Sequence, residues 1–447
     1  MMKILFKKSR QNSPRQSVGI NSMFIIISLS FVVLLSMVNS ANATSVKIVT
    51  GERGYYLLLD GAPFYIKGLG CGEDVGVLGN DYLKMAKEAG ANAVRTWGTN
   101  QGDKNYLDAA AKYGLKVAAG IWLNYVDDDG AYSYLSDEKY LANKKKEIIE
   151  YVKTFKDHPA ILMWNVGNEA IVFTKNEKEK IALCRFLNEI CATIHDLDPD
   201  HPIIYAGAGT THFKYLKKYV PNIDIIGVNC YCSVRFIQVD WENLNWHKPY
   251  VLTELGARLP QDTGKDKNRL PRELSDQAKA IFYREHIDQM FDFQGSNLGG
   301  FVFHLGETTQ ESMTWWNVNE YSDKRLAYWI IHRAYTKEPI KNYPPEIKSF
   351  VLSEYRHVRP GQVINAEVLT EDTEQEALYY RYAISTAIGG VLKYYVNNYL
   401  GTVVYGAGPC VKIKSPAEKG NYRVYVFVYD QSGNVTSMNH SITIADD

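Results

Sequence analysis

Cysteine is scarce in this 447-residue chain, and its six copies stand in no useful crosslinking pattern. Cys184 and Cys191 fall seven residues apart on an expected helix, about 10 Å along its axis, beyond the reach of a disulfide. Cys230 and Cys232 face the same side of one expected strand, and Cys71 and Cys410 are isolated. Neither a disulfide framework nor a zinc pattern results, so mostly buried thiols are expected. The ten histidines include no His-x-His or His-x-x-x-His pair, which excludes the common strand-end metal sites. No metal and no cofactor is expected. Excess charge of either sign is also missing, with 50 basic and 50 acidic residues and no basic cluster in the body of the chain. Nucleic acid, which demands concentrated positive charge, is therefore not an expected partner. Low-complexity tracts and short-period repeats are absent as well. At 46% hydrophobic and 22% charged residues, the body reads as folded throughout.

The first 43 residues differ in kind. Lys3, Lys7, Lys8, Arg10 and Arg15 precede an apolar run from Met23 to Val38 broken only by serines, and Ala41-Asn42-Ala43 follows. This order reads as an export signal cleaved after Ala43, because the run is shorter than the roughly 20 residues of a membrane span. An uncleaved signal anchor is the alternative, and would be the only membrane attachment expected. Either way the body is expected outside the cytosol, secreted, periplasmic or at the cell surface. Cleavage removes five cations and no acid, leaving a mildly acidic chain suited to a neutral or weakly charged substrate.

From Phe64 onward, short β-branched apolar runs alternate with longer amphipathic stretches. Eight strands are expected, at 64–69, 93–97, 116–121, 161–165, 202–206, 224–229, 249–253 and 300–305. Helical patterns include 82–89, 106–113, 138–155, 177–197 and 277–293. Eight parallel strands with eight crossovers close into an α/β fold of the (β/α)₈ barrel type. Asp60-Gly61 is a hairpin signal before the first strand, in a segment expected to cap the bottom of the barrel. After a last helix within 323–336, Tyr343-Pro344-Pro345 marks a linker. Beyond it, alternating runs at 377–384, 391–396 and 422–429, with Gly389-Gly390 and Gly433-Asn434 between strands, predict a small all-β immunoglobulin- or fibronectin-like sandwich. The expected domains are thus a signal peptide at 1–43, a catalytic barrel at 44–340 and a sandwich at 341–447.

A barrel of this type builds its site at the carboxyl ends of its strands. Two acids stand there. Glu169 follows strand four in His158-Pro159-Ala160-Ile161-Leu162-Met163-Trp164-Asn165-Val166-Gly167-Asn168-Glu169, and Glu254 ends strand seven in Val251-Leu252-Thr253-Glu254. Strands four and seven face each other across the mouth, so the pair suits a retaining glycosidase, which needs an acid and a nucleophile about 5–5.5 Å apart. Trp97, Trp122, Trp315 and Trp316 fall at or beyond strand ends, where flat rings stack on sugar faces. His304, Glu73, Asp74 and Glu307 are further candidate substrate contacts.

These features resemble glycoside hydrolases with catalytic glutamates on strands four and seven, in particular the family 2 catalytic domain, over roughly residues 60–335. Its carriers are Asn168-Glu169 with His158-Pro159 upstream, Thr253-Glu254, and Gly90-Ala91-Asn92-Ala93-Val94-Arg95. The resemblance implies Glu169 as general acid/base, Glu254 as nucleophile and Asn168 as the partner of the sugar 2-hydroxyl. It implies Tyr231 as the donor that holds the nucleophile, Arg95 as its charge support, and Trp315 or Trp316 as the sugar platform of strand eight. A full family 2 enzyme carries sandwich domains before its barrel, whereas here about 20 mature residues precede strand one; a trimmed architecture with an open cleft is expected. The expected function is a secreted retaining β-glycosidase acting on a poly- or oligosaccharide, with transglycosylation as a variant. An exported carbohydrate-binding barrel without turnover is the alternative.

Overall fold

The structure is a computed structural model that describes residues 44–126, 132–308, 312–386, 399–400 and 402–446. The expected signal peptide, the 391–396 strand and the Gly389-Gly390 turn lie outside these residues. The chain opens with a three-stranded antiparallel sheet, β1 (Val46–Gly51), β2 (Gly54–Leu59) and β3 (Ala62–Pro63). Asp60 and Gly61, both at positive φ, make its two-residue hairpin. Val46 and Leu57 of this sheet pack with Ile66, Met163, Ile225 and Phe301 inside the barrel, so the sheet plugs the end opposite the site.

Eight parallel strands then close the barrel: β4 (Ile66–Gly70), β5 (Ala93–Arg95), β6 (Lys116–Ile121), β7 (Ile161–Asn168), β8 (Ile203–Ala208), β9 (Ile225–Cys230), β10 (Tyr250–Leu255) and β11 (Asn297–Val302). All eight expected strands are found; β6 has the expected bounds, the others differ by one to three residues at an end, and two of the differences have a visible cause. β5 stops at Arg95 because side chains capture the backbone beyond it: Trp97 N–H donates to Gln101 Oε1 at 2.7 Å, and Gly120 N–H to Thr96 Oγ1 at 2.9 Å. β11 starts earlier and ends earlier than expected, since Gly299-Gly300 continues the strand, and His304 N–H leaves it to bond the Trp316 carbonyl at 3.0 Å.

The crossovers are helical: α1 (Tyr82–Glu88), α2 (Lys104–Lys112), α3 (Glu138–Phe155), a short α4 (Ala170–Phe173), α5 (Glu177–Leu197), α6 (Phe213–Tyr219), α7 (Val234–Leu244), α8 (Asp276–Asp292) and α9 (Leu326–Thr336). Asp81, Asp103, Asp137, Asn176, Ser233 and Ser275 cap six of them through side-chain oxygens that accept from first-turn amides. α5 turns Leu183, Cys184, Leu187, Ile190, Cys191 and Ile194 to the core, the i, i+3, i+4 stripe of an amphipathic helix. Cys184 and Cys191 are thus core residues, and burial pushes both thiols up. All six cysteines are free; Cys232 and Cys410 are exposed. No described helix is long and apolar enough to cross a membrane.

A short hairpin, β12 (Asn319–Glu320) and β13 (Asp323–Lys324), precedes α9. The C-terminal region forms two four-stranded antiparallel sheets. One holds β14 (Glu346–Leu352), β15 (Val363–Glu371), β18 (Val403–Tyr405) and β19 (Cys410–Lys414); the other holds β16 (Tyr379–Ser385), β17 (Tyr399–Leu400), β20 (Gly420–Tyr429) and β21 (Val435–Ile444). Alternate residues such as Ile364, Ala366, Val411, Ile413, Val424 and Val426 fill one shared core. β15 and β19 alternate buried and exposed, as one-sided strands should, whereas Tyr422–Val428 of β20 is buried at every position. The second face of β20 is covered by the barrel: Tyr425 and Phe427 pack with Met313.

That contact is ionic as well as apolar, and the described residues from Thr44 onward belong to one compact unit. Buried Arg325, just before α9, bonds Asp276 at 2.7 Å and Glu320 at 2.6 Å, while Arg381 of β16 reaches the other oxygen of Glu320 at 2.6 Å. Ser437 of β21 donates its backbone N–H to Asp276 at 2.7 Å. Every charge here has a partner, as buried charge requires. Replacing Arg325 by Met takes the cation from buried Asp276 and leaves Glu320 with Arg381 alone, and the expected loss is about 3–5 kcal/mol in chemical denaturation, with barrel and sandwich melting together.

Candidate active site

The site is built at the carboxyl ends of the barrel strands around one buried guanidinium. Arg95, the last residue of β5, has no solvent exposure. Its Nε donates to Asn165 Oδ1 at 2.9 Å, one terminal nitrogen to the Thr253 carbonyl at 2.9 Å and Glu254 Oε1 at 2.8 Å, and the other to Asn168 Oδ1 at 2.8 Å. A planar fork with five donors can join β5, β7 and β10 in this way, and an ammonium could not.

Glu254 is 6% exposed and receives two further donors. Trp97 Nε1 reaches Oε1 at 2.8 Å and the Tyr231 hydroxyl reaches Oε2 at 2.5 Å. Burial, followed by the Glu254 charge, pushes the Tyr231 phenol well above its ordinary range, so it stays a donor.

Glu169 is held differently. Gly167 sits at φ 86°, where a Cβ would lie 2.9 Å from the Tyr205 ring, and Glu169 itself takes the left-handed conformation at φ 56°. A non-glycine residue there costs about 1–3 kcal/mol, a strain typical of functional turns. The turn ends β7 and starts α4, and the Glu169 N–H is tied to the Ala206 carbonyl of β8 at 2.7 Å. The carboxyl accepts one protein donor, Asn229 Nδ2 at 2.8 Å. Burial pushes its pKa up to about 7, the Glu254 charge adds to this, and Asn229 and Arg95 pull the other way.

Asn229, at the end of β9, escaped sequence reasoning. Its amide also donates to Asn168 Oδ1 at 3.1 Å and accepts from the Thr253 hydroxyl at 2.8 Å, so it connects the two glutamate-bearing strands. The signal was an asparagine closing an apolar strand two residues before Tyr231. Because Asn168 Oδ1 already accepts twice, its amide nitrogen is the group left for a ligand.

The cleft above these residues has a volume of about 920 Å³ and is lined by Asn168, Glu169, Asn229, Tyr231 and Glu254, with Trp97, Trp122, His304 and Trp316 from the sequence candidates. Glu73 and Glu307 also line it, and Asp74 does not. Trp315 departs from expectation. It is fully buried, donates its indole N–H to the Arg258 carbonyl at 3.0 Å, and is not a cleft residue. Of the pair only Trp316 faces the cleft, 4.9 Å from the Tyr231 ring between centroids. Tyr125 and Phe173, not among the sequence candidates, extend the aromatic wall beside Trp122. Among the described residues no group of three or more His, Cys, Asp or Glu side chains could hold a metal ion.

A closed (β/α)₈ barrel that carries two glutamates across an aromatic-lined mouth has the architecture of the barrel glycoside hydrolases. The profile of the glycosyl hydrolases family 2 TIM barrel domain matches residues 55–323, and the chain belongs to that family. Similar proteins include the β-glucuronidase of Paenibacillus borealis, 26% identical over 233 residues that cover 46% of this chain and 37% of that one. The β-glucuronidase of Canis lupus familiaris is 27% identical over 236 residues, covering 47% and 33%. The matched region thus spans about a third of the length of these relatives. The crystal structure of Bacteroides uniformis β-glucuronidase shares the fold at a TM-score of 0.52 and 15% identity, covering 90% of this chain and 48% of that one.

Glutamate-selective ¹³C labelling is expected to show one carboxyl titrating near pH 7 that vanishes in Glu169→Gln. In Asn229→Ala the lost donor no longer favours the anion, so the same signal should titrate at higher pH; an unchanged or lower midpoint would contradict the assigned contact.

Proposed function

We propose that this protein is an exported β-glycosidase that cleaves O-glycosidic bonds of a poly- or oligosaccharide with retention of anomeric configuration. One observation carries the reading: the two glutamates at the ends of β7 and β10 occupy opposite environments. Glu254 meets Arg95, Trp97 and Tyr231, a set that suits an ionised nucleophile. Glu169 is half-buried with a raised pKa near 7, which suits a group that first gives a proton and then takes one.

In this reading Glu169 protonates the leaving oxygen while Glu254 attacks the anomeric carbon, giving a covalent glycosyl-enzyme. Glu169, now ionised, deprotonates water, or a sugar hydroxyl in transglycosylation, and the incoming oxygen displaces Glu254. The Asn168 amide bonds the 2-hydroxyl, Tyr231 and Arg95 hold the nucleophile, and the rings of Trp97, Trp122 and Trp316 line the path of the glycan. The β-glucuronidase relatives support the β configuration. The export reading rests on the basic-then-apolar order of residues 1–43. We further assign the C-terminal sheets, residues 341–447, to an immunoglobulin-like sandwich that braces the barrel, supported by their shared core and the Arg325 contacts.

Intact mass after incubation with 2-deoxy-2-fluoro β-glycosyl fluorides tests the mechanism: a sugar-sized gain on wild type and none on Glu254→Gln is expected. No adduct with any sugar would turn the reading toward a binding protein without turnover. Because Glu169 must enter protonated, kcat/KM should fall as pH rises through about 7. Glu169→Ala should lose about 10²–10⁴ in rate on poor leaving groups and far less on a dinitrophenyl glycoside.

A further inference from the structure

The cleft holds its cation out of reach and its anions in the open. Arg95 lies beneath the floor, committed to Asn165, Thr253, Glu254 and Asn168. Among the described residues, no lysine or arginine lines the cleft, whereas Glu73, Asp262 and Glu307 do, in addition to the two central glutamates. His304, the one imidazole in the lining, is kept neutral: burial pushes its pKa down to about 4. Residues 127–131 and 309–311, outside the described set, read Asp-Asp-Asp-Gly-Ala and Thr-Gln-Glu, so their composition supplies no cation either. Crowding of negative charge is already felt at Glu73, which burial, then Glu307 and Asp74, push up.

A ligand carboxylate entering this cleft would lose hydration without gaining an ion pair, and would meet like charge. Uncharged pyranose rings meet better partners. Their C–H faces match Trp97, Trp122 and Trp316, and their hydroxyls match the amides of Asn100, Gln101 and Asn168.

We infer that the cleft is built for a glycosyl unit without negative charge and discriminates against uronides, in contrast to the activity for which its relatives are named. This inference rests on the glycosidase reading above. The test is kcat/KM of the full chain on 4-nitrophenyl β-glucoside, β-galactoside, β-mannoside, β-xyloside, β-glucosaminide and β-glucuronide, at a pH where Glu169 is protonated. The glucuronide should fall at least about a hundredfold below the best neutral glycoside, the scale of an unpaired buried charge. Glu73→Gln, on the exposed rim, should narrow that gap several-fold by removing one repulsive charge, and an unchanged gap would overturn the charge-based cause. Glucuronide turned over as well as any neutral sugar would overturn the inference and leave the glycosidase reading standing. No turnover and no fluorosugar adduct in any case would overturn both.

Discussion

The buried guanidinium of Arg95 is the constraint on which the site depends. It sits in the barrel with no water contact, so each of its N–H groups must find an acceptor within the protein. The acceptors come from two other strands: Asn165 and Asn168 on β7, and Thr253 and Glu254 on β10. Satisfying one residue therefore fixes the relative heights of both strand ends that carry glutamates. Asn229 adds a second tie at the level above, through Thr253, Asn168 and Glu169.

The same network makes two chemically identical side chains unlike each other. Donors converge on Glu254 from Arg95, Trp97 and Tyr231, whereas Glu169 meets Asn229 alone and shares a half-buried space with a neighbouring anion. Solvation and charge, not residue type, set the two carboxyls apart. The left-handed backbone at Glu169 belongs to this arrangement, since a strained turn places the acid past the strand end while its amide stays anchored to β8.

Much of this was legible in the sequence because βα alternation and strand-end acids are local signals. The eight barrel strands, the long helices and both glutamates follow from apolar periodicity and position. Other features depend on what packs against them. The truncation of β5 at Arg95 required knowing that Gln101 and Thr96 would capture the backbone. Trp315 and Trp316 are indistinguishable as neighbours in sequence, and only the Arg258 carbonyl decides which one is turned into the protein. Asn229 closes an apolar strand much as Asn165 closes the expected core of β7, and its role emerges only when β7, β9 and β10 are brought side by side. The continuous apolar run of β20 was readable as a strand, while the barrel surface that buries its second face was not.

Glu273 draws these threads toward the sandwich. Burial raises its carboxyl, but Lys279 and Arg423, with the hydroxyls of Thr314 and Ser312, outweigh that and hold it below the usual range. The hydroxyls of Ser312 and Thr314 bond it from the segment leading to Trp316, at 2.7 and 2.5 Å, while Tyr425 of β20 bonds it from the other side at 2.7 Å. The wall of the cleft and the second sheet thus share a single acid as their joint. For anyone recombining domains, the seam at Tyr343-Pro344-Pro345 is a poor place to cut: a foreign sandwich grafted there would have to reproduce Tyr425 and Arg423, or the transplanted barrel would arrive with one side of its mouth unsupported.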